Sequence, residues 1–175
     1  MTTPGRMMAR LTLVVGAALL TFGYSSCTFV SNTGGTGGSS GPGFGDGFST
    51  TLALRDSSGT TTTSFVMGEP IRFDLDIESR STRTTALQFP DSQIYDFYVL
   101  DAAGSGVRWR WSEGMAFTQV STQLSFAPLS SKSYSVTWNG VLGDGTQLPA
   151  GNYRAQGIIV SDDQQDSNLV NFTVR

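Results

Sequence analysis

The sequence contains no histidine, a single cysteine and few charged side chains, which make up 14% of its 175 residues. Without histidine, the usual general base and the Ser-His-Asp and Cys-His catalytic arrangements are missing. A single cysteine excludes an internal disulfide bond and the thiolate clusters that hold metal ions. A net charge of -3 provides no basic surface for phosphate groups. We therefore expect a protein that is not an enzyme, uses no cofactor or metal, and has no nucleic-acid partner.

Residues 1–26 have the pattern of a secretory signal peptide. Arg6 and Arg10 supply positive charge ahead of an uncharged apolar run at residues 11–22. That run is shorter than the ~20 residues that a membrane-spanning helix needs. The pattern therefore predicts export, with an uncleaved membrane-anchored segment as one alternative.

Small residues at the end of this segment lead to Cys27, the only cysteine of the chain. The arrangement resembles the lipobox of bacterial lipoproteins, with Tyr24 in place of the usual leucine. The resemblance implies that Cys27 carries acyl chains that anchor the protein to a membrane, and at least two chains are needed for a stable anchor. Thr28, rather than aspartate, follows it, which implies the outer membrane where the cell has one. We expect an exported, membrane-anchored lipoprotein on the extracytoplasmic side; an ordinary signal peptide with an incidental cysteine is the alternative.

Residues 27–47 are rich in glycine and serine, and such a composition cannot bury enough apolar surface to fold. We expect a flexible tether there and a folded domain at residues 48–175. No helical period occurs in that domain; instead, short runs of β-branched and aromatic residues recur between turn signals, as in a sandwich or a barrel. The predicted strands are 49–55, 71–79, 84–89, 94–101, 107–111, 119–126, 133–138, 153–161 and 169–174.

Residues 148–153, Leu-Pro-Ala-Gly-Asn-Tyr, place Tyr153 at the start of a strand after a turn. This is how the tyrosine corner of immunoglobulin-like sandwiches is built, with the hydroxyl bonded to the upstream backbone. We therefore expect a structural role for Tyr153 and an all-β, immunoglobulin-like antiparallel β-sandwich.

Alternation of apolar and charged residues is clearest at residues 71–78. Arg72, Asp74, Asp76 and Glu78 share one face of the predicted strand, and the apolar residues share the other. Carboxylates on one face are potential calcium ligands, but side chains two apart on a strand are about 6.5 Å apart and do not converge. A solvated strand face is therefore favoured over a calcium site.

The most distinctive stretch, residues 89–119, concentrates aromatic residues and places two tryptophans around an arginine. Its notable pieces are Phe89, Ser92-Gln93, Tyr95-Asp96-Phe97, Asp101, Gly104, Trp109-Arg110-Trp111-Ser112, Met115 and Phe117-Thr118-Gln119, with Gly68-Glu69 upstream and Tyr134, Trp138, Gly151 and Tyr153 downstream. These residues resemble the BsuPI-type intracellular proteinase inhibitor family over most of the domain. Asp91-Ser92 stands where that family usually has Ser-Gly. The founding members are cytoplasmic and lack an export signal.

Trp109 and Trp111 are expected on one face of a strand and Arg110 on the other, because side chains alternate. The two tryptophans are either core residues or part of an exposed partner-binding patch, since Trp, Tyr and Arg dominate interface hot spots. The candidate partner-binding residues are Trp109, Arg110, Trp111, Ser112, Met115 and Phe117.

Asp96 lies within an apolar strand, where a carboxylate is costly unless it is hydrogen-bonded. We expect it to fix a neighbouring loop through Gln93 or Arg110.

The family resemblance implies an inhibitor that binds a serine protease and blocks its active-site cleft. Residues 112–118 are the first candidate for the inhibitory loop, and residues 140–150 are the second. The alternative is a non-catalytic immunoglobulin-like module of the cell envelope that binds proteins or polysaccharide. An enzyme that relies on Asp74 and Asp76 alone is the least favoured hypothesis, since those carboxylates would have to act on a strand face without histidine.

Overall fold

The computed structural model describes residues 47–175, and within them the chain forms strands and no α-helix. The strands are β1 (Phe48–Arg55), β2 (Ser64–Phe65), β3 (Ile71–Ser79), β4 (Thr85–Phe89), β5 (Tyr95–Asp101), β6 (Val107–Arg110), β7 (Thr122–Phe126), β8 (Ser131–Trp138), β9 (Gly151–Ile159), β10 (Gln165–Asp166) and β11 (Val170–Val174). In this part of the chain, no helix is long and apolar enough to cross a membrane. The signal peptide predicted at 1–26, and the tether at 27–47 except for Gly47, lie outside the described residues.

The strands form a sandwich of antiparallel sheets. One sheet has the order β1-β3-β8, and the larger one has the order β2-β11-β9-β5-β6, with β10 on β9. A further pair, β4-β7, forms a small sheet of its own. Only the short pairing of β2 with β11 is parallel among the described strand pairs. The all-β sandwich expected from the sequence is therefore confirmed.

Strand β3 lies in the middle of the first sheet and supplies much of the core. Ile71, Phe73, Leu75 and Ile77 are at most 2% exposed, as the alternation in the sequence predicts. Burial of such a side chain contributes roughly 1.5–3 kcal/mol. Opposite this strand, the Phe97 ring lies 5.6 Å from the Phe73 ring, so β3 and β5 face each other across the core.

The backbone of β9 lies close to the side chain of Leu75 at Gly157. A Cβ atom at this position would lie 2.8 Å from Cδ1 of Leu75, closer than carbon atoms pack. Leu75 thus fills the space that a side chain at position 157 would need. Glycine at this position therefore allows β9 to pack directly against Leu75 of β3.

The outer face of β3 holds its charges in a local network. Asp74 accepts hydrogen bonds from Arg55, Arg72 and Ser135, each at 2.7 Å. Burial alone would raise the pKa of Asp74, but the hydrogen bonds from Ser135, Arg72 and Arg55 outweigh it and hold the pKa below its usual value. Residues 47–175 contain no cluster of three or more His, Cys, Asp or Glu side chains placed to hold a metal ion.

Candidate partner-binding surface

Strand β6 forms one edge of the larger sheet and pairs with β5 alone among the described strands. After Arg110 the chain leaves the sheet, and residues 112–118 form a segment that we call the edge loop. Residues 140–150, between β8 and β9, form a second segment that we call the hairpin loop. We refer to β6 and these two loops together as the edge surface.

The tryptophans of the sequence motif form the inner wall of this surface. Trp109 stacks on Trp138 with ring centres 4.6 Å apart, and Trp111 stacks on Tyr95 at 4.7 Å. Both residues are half-buried and pack against the core. Trp111 lies in the turn after β6, so the prediction that the strand extends to residue 111 is wrong by one residue. The backbone nevertheless stays paired there, because the Trp111 amide donates to the Phe97 carbonyl at 2.9 Å.

Asp96 on β5 fixes the beginning of the edge loop. Its carboxylate is 1% exposed and accepts hydrogen bonds from Arg110 Nε at 2.6 Å and from Ser112 Oγ at 2.6 Å. It also accepts from the backbone amides of Ser112 and Phe97. Gln93 does not join this network; its side-chain amide donates to the Tyr95 carbonyl instead. A buried carboxylate thus connects the sheet to the first residue of the loop.

Arg110 lies on the outer face of the sheet edge. Its guanidinium carbon is 5.2 Å from the centre of the Tyr98 ring, a geometry that favours a cation–π interaction. The hydrogen bond to Asp96 raises the pKa of Arg110 further, so the side chain stays charged. The Arg110 side chain is still 44% exposed, so part of it remains accessible to a partner.

The far end of the edge loop is held by Ser92. The Ser92 amide donates to the Thr118 carbonyl at 3.0 Å, and the Thr118 amide donates to Ser92 Oγ at 2.9 Å. Within the loop, the Met115 amide donates to the Ser112 carbonyl at 3.0 Å, and Gly114 closes this turn with a φ of 76°. Such a φ is in the left-handed region that favours glycine. The loop is therefore fixed at both ends.

Phe117 helps to hold the loop from the inside, since its half-buried ring lies 6.2 Å from that of Trp111. Glu113, Gly114, Met115 and Ala116 are exposed. The middle of the edge loop is consequently the part that is presented to solvent.

The hairpin loop is a compact turn. The Leu142 amide donates to the Thr146 carbonyl at 2.8 Å, and the Trp138 indole donates to the Val141 carbonyl at 2.8 Å. Leu148 anchors the loop, because it is 2% exposed. The far end of the loop is also fixed, because the Tyr153 hydroxyl donates to the carbonyl of Pro149 at 2.8 Å.

The two loops that the sequence offered as alternatives lie side by side. A Cβ atom on Gly143 would be 3.7 Å from the Glu113 carboxylate. Between β6 and the hairpin loop runs an open groove of about 720 Å³, whose lining includes Tyr98, Arg108 and Asp144. Hydrogen bonds from Thr146 lower the pKa of Asp144, with a smaller contribution from Arg108. Glu113 and Asp144 fall within the predicted candidate loops 112–118 and 140–150, whereas Arg108 on β6 was not among the candidate residues, since an isolated charged residue carries no distinguishing pattern.

Of the candidate site residues, Trp109, Trp111 and Phe117 are half-buried, and Ser112 is buried at the beginning of the edge loop. Arg110 and Met115 are exposed on the edge surface. Cys27 lies outside the described residues.

Residues 58–164 match the model of the BsuPI family, described as intracellular proteinase inhibitor. The match covers β2 to β9 and therefore the whole edge surface. The predicted export and membrane anchoring through Cys27 are contradicted by this description, which names an intracellular protein. The prediction of an exported lipoprotein is therefore wrong; a short apolar run before a cysteine is a local pattern that does not specify location.

No curated protein matches the chain. Among solved structures, the C-terminal domain of Wzt is similar with a TM-score of 0.45 and 9% identity, covering 71% of this chain and 70% of that one. The alkylpurine DNA glycosylase AlkC of Pseudomonas fluorescens gives 0.44 and 11% identity, over 73% of this chain and 30% of that one. A β-glucosidase of Listeria innocua gives 0.38 and 11% identity, over 71% of this chain and 16% of its own. At these scores, the similarities support no conclusion about function.

Proposed function

Since the chain belongs to the BsuPI family of intracellular proteinase inhibitors, we propose that it binds a serine protease and blocks the active-site cleft with its edge surface. The protein performs no chemistry in this role. The observation that carries the proposal is the edge loop, whose exposed middle lies between two anchored ends in a domain of an inhibitor family.

A segment that blocks a protease must be presented in one conformation. Each side chain and backbone segment that becomes ordered only on binding lowers the affinity, so a loop that is already ordered binds more tightly. Asp96 and Ser92 supply that order at the two ends of the edge loop. The Trp111 ring, which stacks on Tyr95 and contacts the Phe117 ring of the loop, limits the inward movement of the loop. The loop has the features that a cleft-blocking segment requires.

The edge loop alone is too small for a stable complex. A standard protein interface buries roughly 800 Å² on each partner. Strand β6 and the hairpin loop extend the surface on one side, with exposed Arg108 and Arg110 beside Glu113. We assign to them the contacts with the rim of the cleft.

The test is an inhibition assay with the full 175-residue chain. Subtilisin-like and chymotrypsin-like serine proteases, a papain-like cysteine protease and a metalloprotease are each titrated with it. We expect stoichiometric loss of activity for at least one serine protease and none for the other two classes. A panel that stays fully active at micromolar inhibitor would contradict the proposal.

A good competing substrate would also lower the measured activity. Intact mass measurement of the chain after incubation separates the two cases. We expect an uncleaved chain and a stable complex on gel filtration. Rapid fragmentation without a complex would identify a substrate instead of an inhibitor.

A further inference from the structure

The edge loop carries one large apolar side chain at its exposed tip. Met115 is 48% exposed, and small residues, Gly114 and Ala116, flank it. A single exposed apolar residue is common on protein surfaces and by itself requires no explanation. Met67, which is also 48% exposed, is such a residue on another turn.

The backbone around Met115 distinguishes it from Met67. In the described part of the chain, the amides of Ala116 and Phe117 make no backbone hydrogen bond, although they lie between the anchored Ser112 and Thr118. Backbone groups that are free to bond, next to an exposed side chain on an anchored loop, are what strand addition to a partner uses: backbone hydrogen bonds give affinity, and a pocket for the side chain gives specificity. The amides of both methionines are bonded, that of Met115 to the Ser112 carbonyl and that of Met67 to the Arg175 carbonyl. The difference lies in the residues that follow: after Met67, the Glu69 amide is bonded to the Val66 carbonyl.

We propose that Met115 enters the primary specificity pocket of the protease, and that the partner is therefore a serine protease with an apolar pocket. The inference rests on the proposed function and specifies its partner. Methionine is unbranched and flexible, so it can fill an irregular apolar pocket. A pocket with a carboxylate at its base would be left with a buried and unpaired charge.

The charge next to the tip favours the same class of partner. Glu113 is exposed two residues before Met115. Its carboxylate would lie near the mouth of the pocket and would repel an acidic one. Both the apolar side chain of Met115 and the charge of Glu113 thus select against proteases that cleave after lysine or arginine.

The experiment compares two matched substitutions, Met115→Lys and Met67→Lys, in the full chain. Each places the same charge at an equally exposed methionine, so both variants should keep the urea midpoint of the wild type. Against a protease with an apolar pocket, we expect Met115→Lys to lose about 100-fold or more in inhibition, because a misfit of one methylene already changes discrimination by about 10–200-fold and an unpaired buried charge costs more. Met67→Lys should be indistinguishable from the wild type.

A gain of function completes the test. Met115→Lys should acquire measurable inhibition of a trypsin-like protease, whose acidic pocket accepts lysine. The conservative Met115→Leu should retain inhibition of the original protease within a few-fold, because an apolar side chain of similar volume is kept.

The outcomes separate this inference from the proposed function. If the wild type inhibits no serine protease, both are wrong. If it inhibits one, but Met115→Lys and Met67→Lys behave alike, Met115 is not the pocket residue while the inhibitor function stands. Wild-type inhibition of trypsin-like proteases alone would also overturn the inference.

Discussion

Replacement of Asp96 with alanine removes the carboxylate that joins β5 to the edge loop. This group accepts four hydrogen bonds, from Arg110, from the hydroxyl and the amide of Ser112, and from the Phe97 amide. The substitution leaves a small cavity and several donors without an acceptor. Its effect should therefore combine a loss of stability with a loss of order in the edge loop.

The expected magnitude follows from the burial of each partner. A buried donor that loses its acceptor costs about 1–3 kcal/mol, and three donors are in this position: the Phe97 amide and the Ser112 amide and hydroxyl. Arg110 is 44% exposed, so water can hydrate it and its share is about 0–1 kcal/mol. We expect Asp96→Ala to lower the free energy of unfolding by about 3–4 kcal/mol, near the cost of breaking a buried pair. Asp96→Asn keeps one acceptor oxygen and should cost about half as much.

Urea unfolding of the full chain, followed by tryptophan fluorescence, measures the stability of each variant. Inhibition of the target protease is measured on the same samples and corrected for the folded fraction. Asp163→Ala, at an exposed carboxylate, is the control and should change neither quantity. A loss below about 1 kcal/mol for Asp96→Ala would refute the assigned network, and full inhibition by the folded variant would refute its role in ordering the loop.

Three further substitutions and one control test the packing, the charge network and the tyrosine corner. Gly157→Ala should lower the free energy of unfolding by about 1–3 kcal/mol, because the new Cβ meets Leu75. As the control, Gly143→Ala has ordinary contact distances and should change the free energy of unfolding by less than about 0.5 kcal/mol. Equal urea midpoints for the Gly157→Ala and Gly143→Ala variants would contradict this expectation. Because the folded-state pKa of Asp74 lies below its usual 3.8, its stabilising effect is present above that pH and is lost as the pH falls below it. Acid unfolding of Asp74→Asn should therefore show a shallower loss of stability than the wild type, and an unchanged slope would argue against the network. Tyr153→Phe removes one hydrogen bond and should cost about 1 kcal/mol in urea unfolding; no change would mean that the bond does not stabilise the fold.

The sequence predicted the longer strands well, because burial on one face leaves a visible period. In β3 the charged residues alternate with Ile71, Phe73, Leu75 and Ile77, and the predicted bounds agree with the observed ones. Two-residue strands such as β2 and β10 are too short to show any period. Their pairing is set by the neighbouring strands β11 and β9, and so by tertiary structure.

The candidate site was predictable only in part. A carboxylate in an apolar strand must find donors, and Asp96 with Arg110 follows from that rule. The bonds of Ser92 to Thr118 could not be foreseen, since short polar residues far apart in sequence give no signal of pairing. The adjacency of the edge loop and the hairpin loop is likewise a result of the sheet order, which places β6 beside β5 at the edge.

The aromatic motif shows why residue type alone does not locate a binding surface. Trp and Tyr contribute strongly both to interface hot spots and to cores, because burial of their large apolar area is favourable in either environment. Here Trp109 and Trp111 stack on Trp138 and Tyr95 and support the edge loop from below. Substitutions at these positions should therefore act through loop order and stability together. At Met115, which is outside that stack, a substitution should change binding while the stability of the fold is preserved.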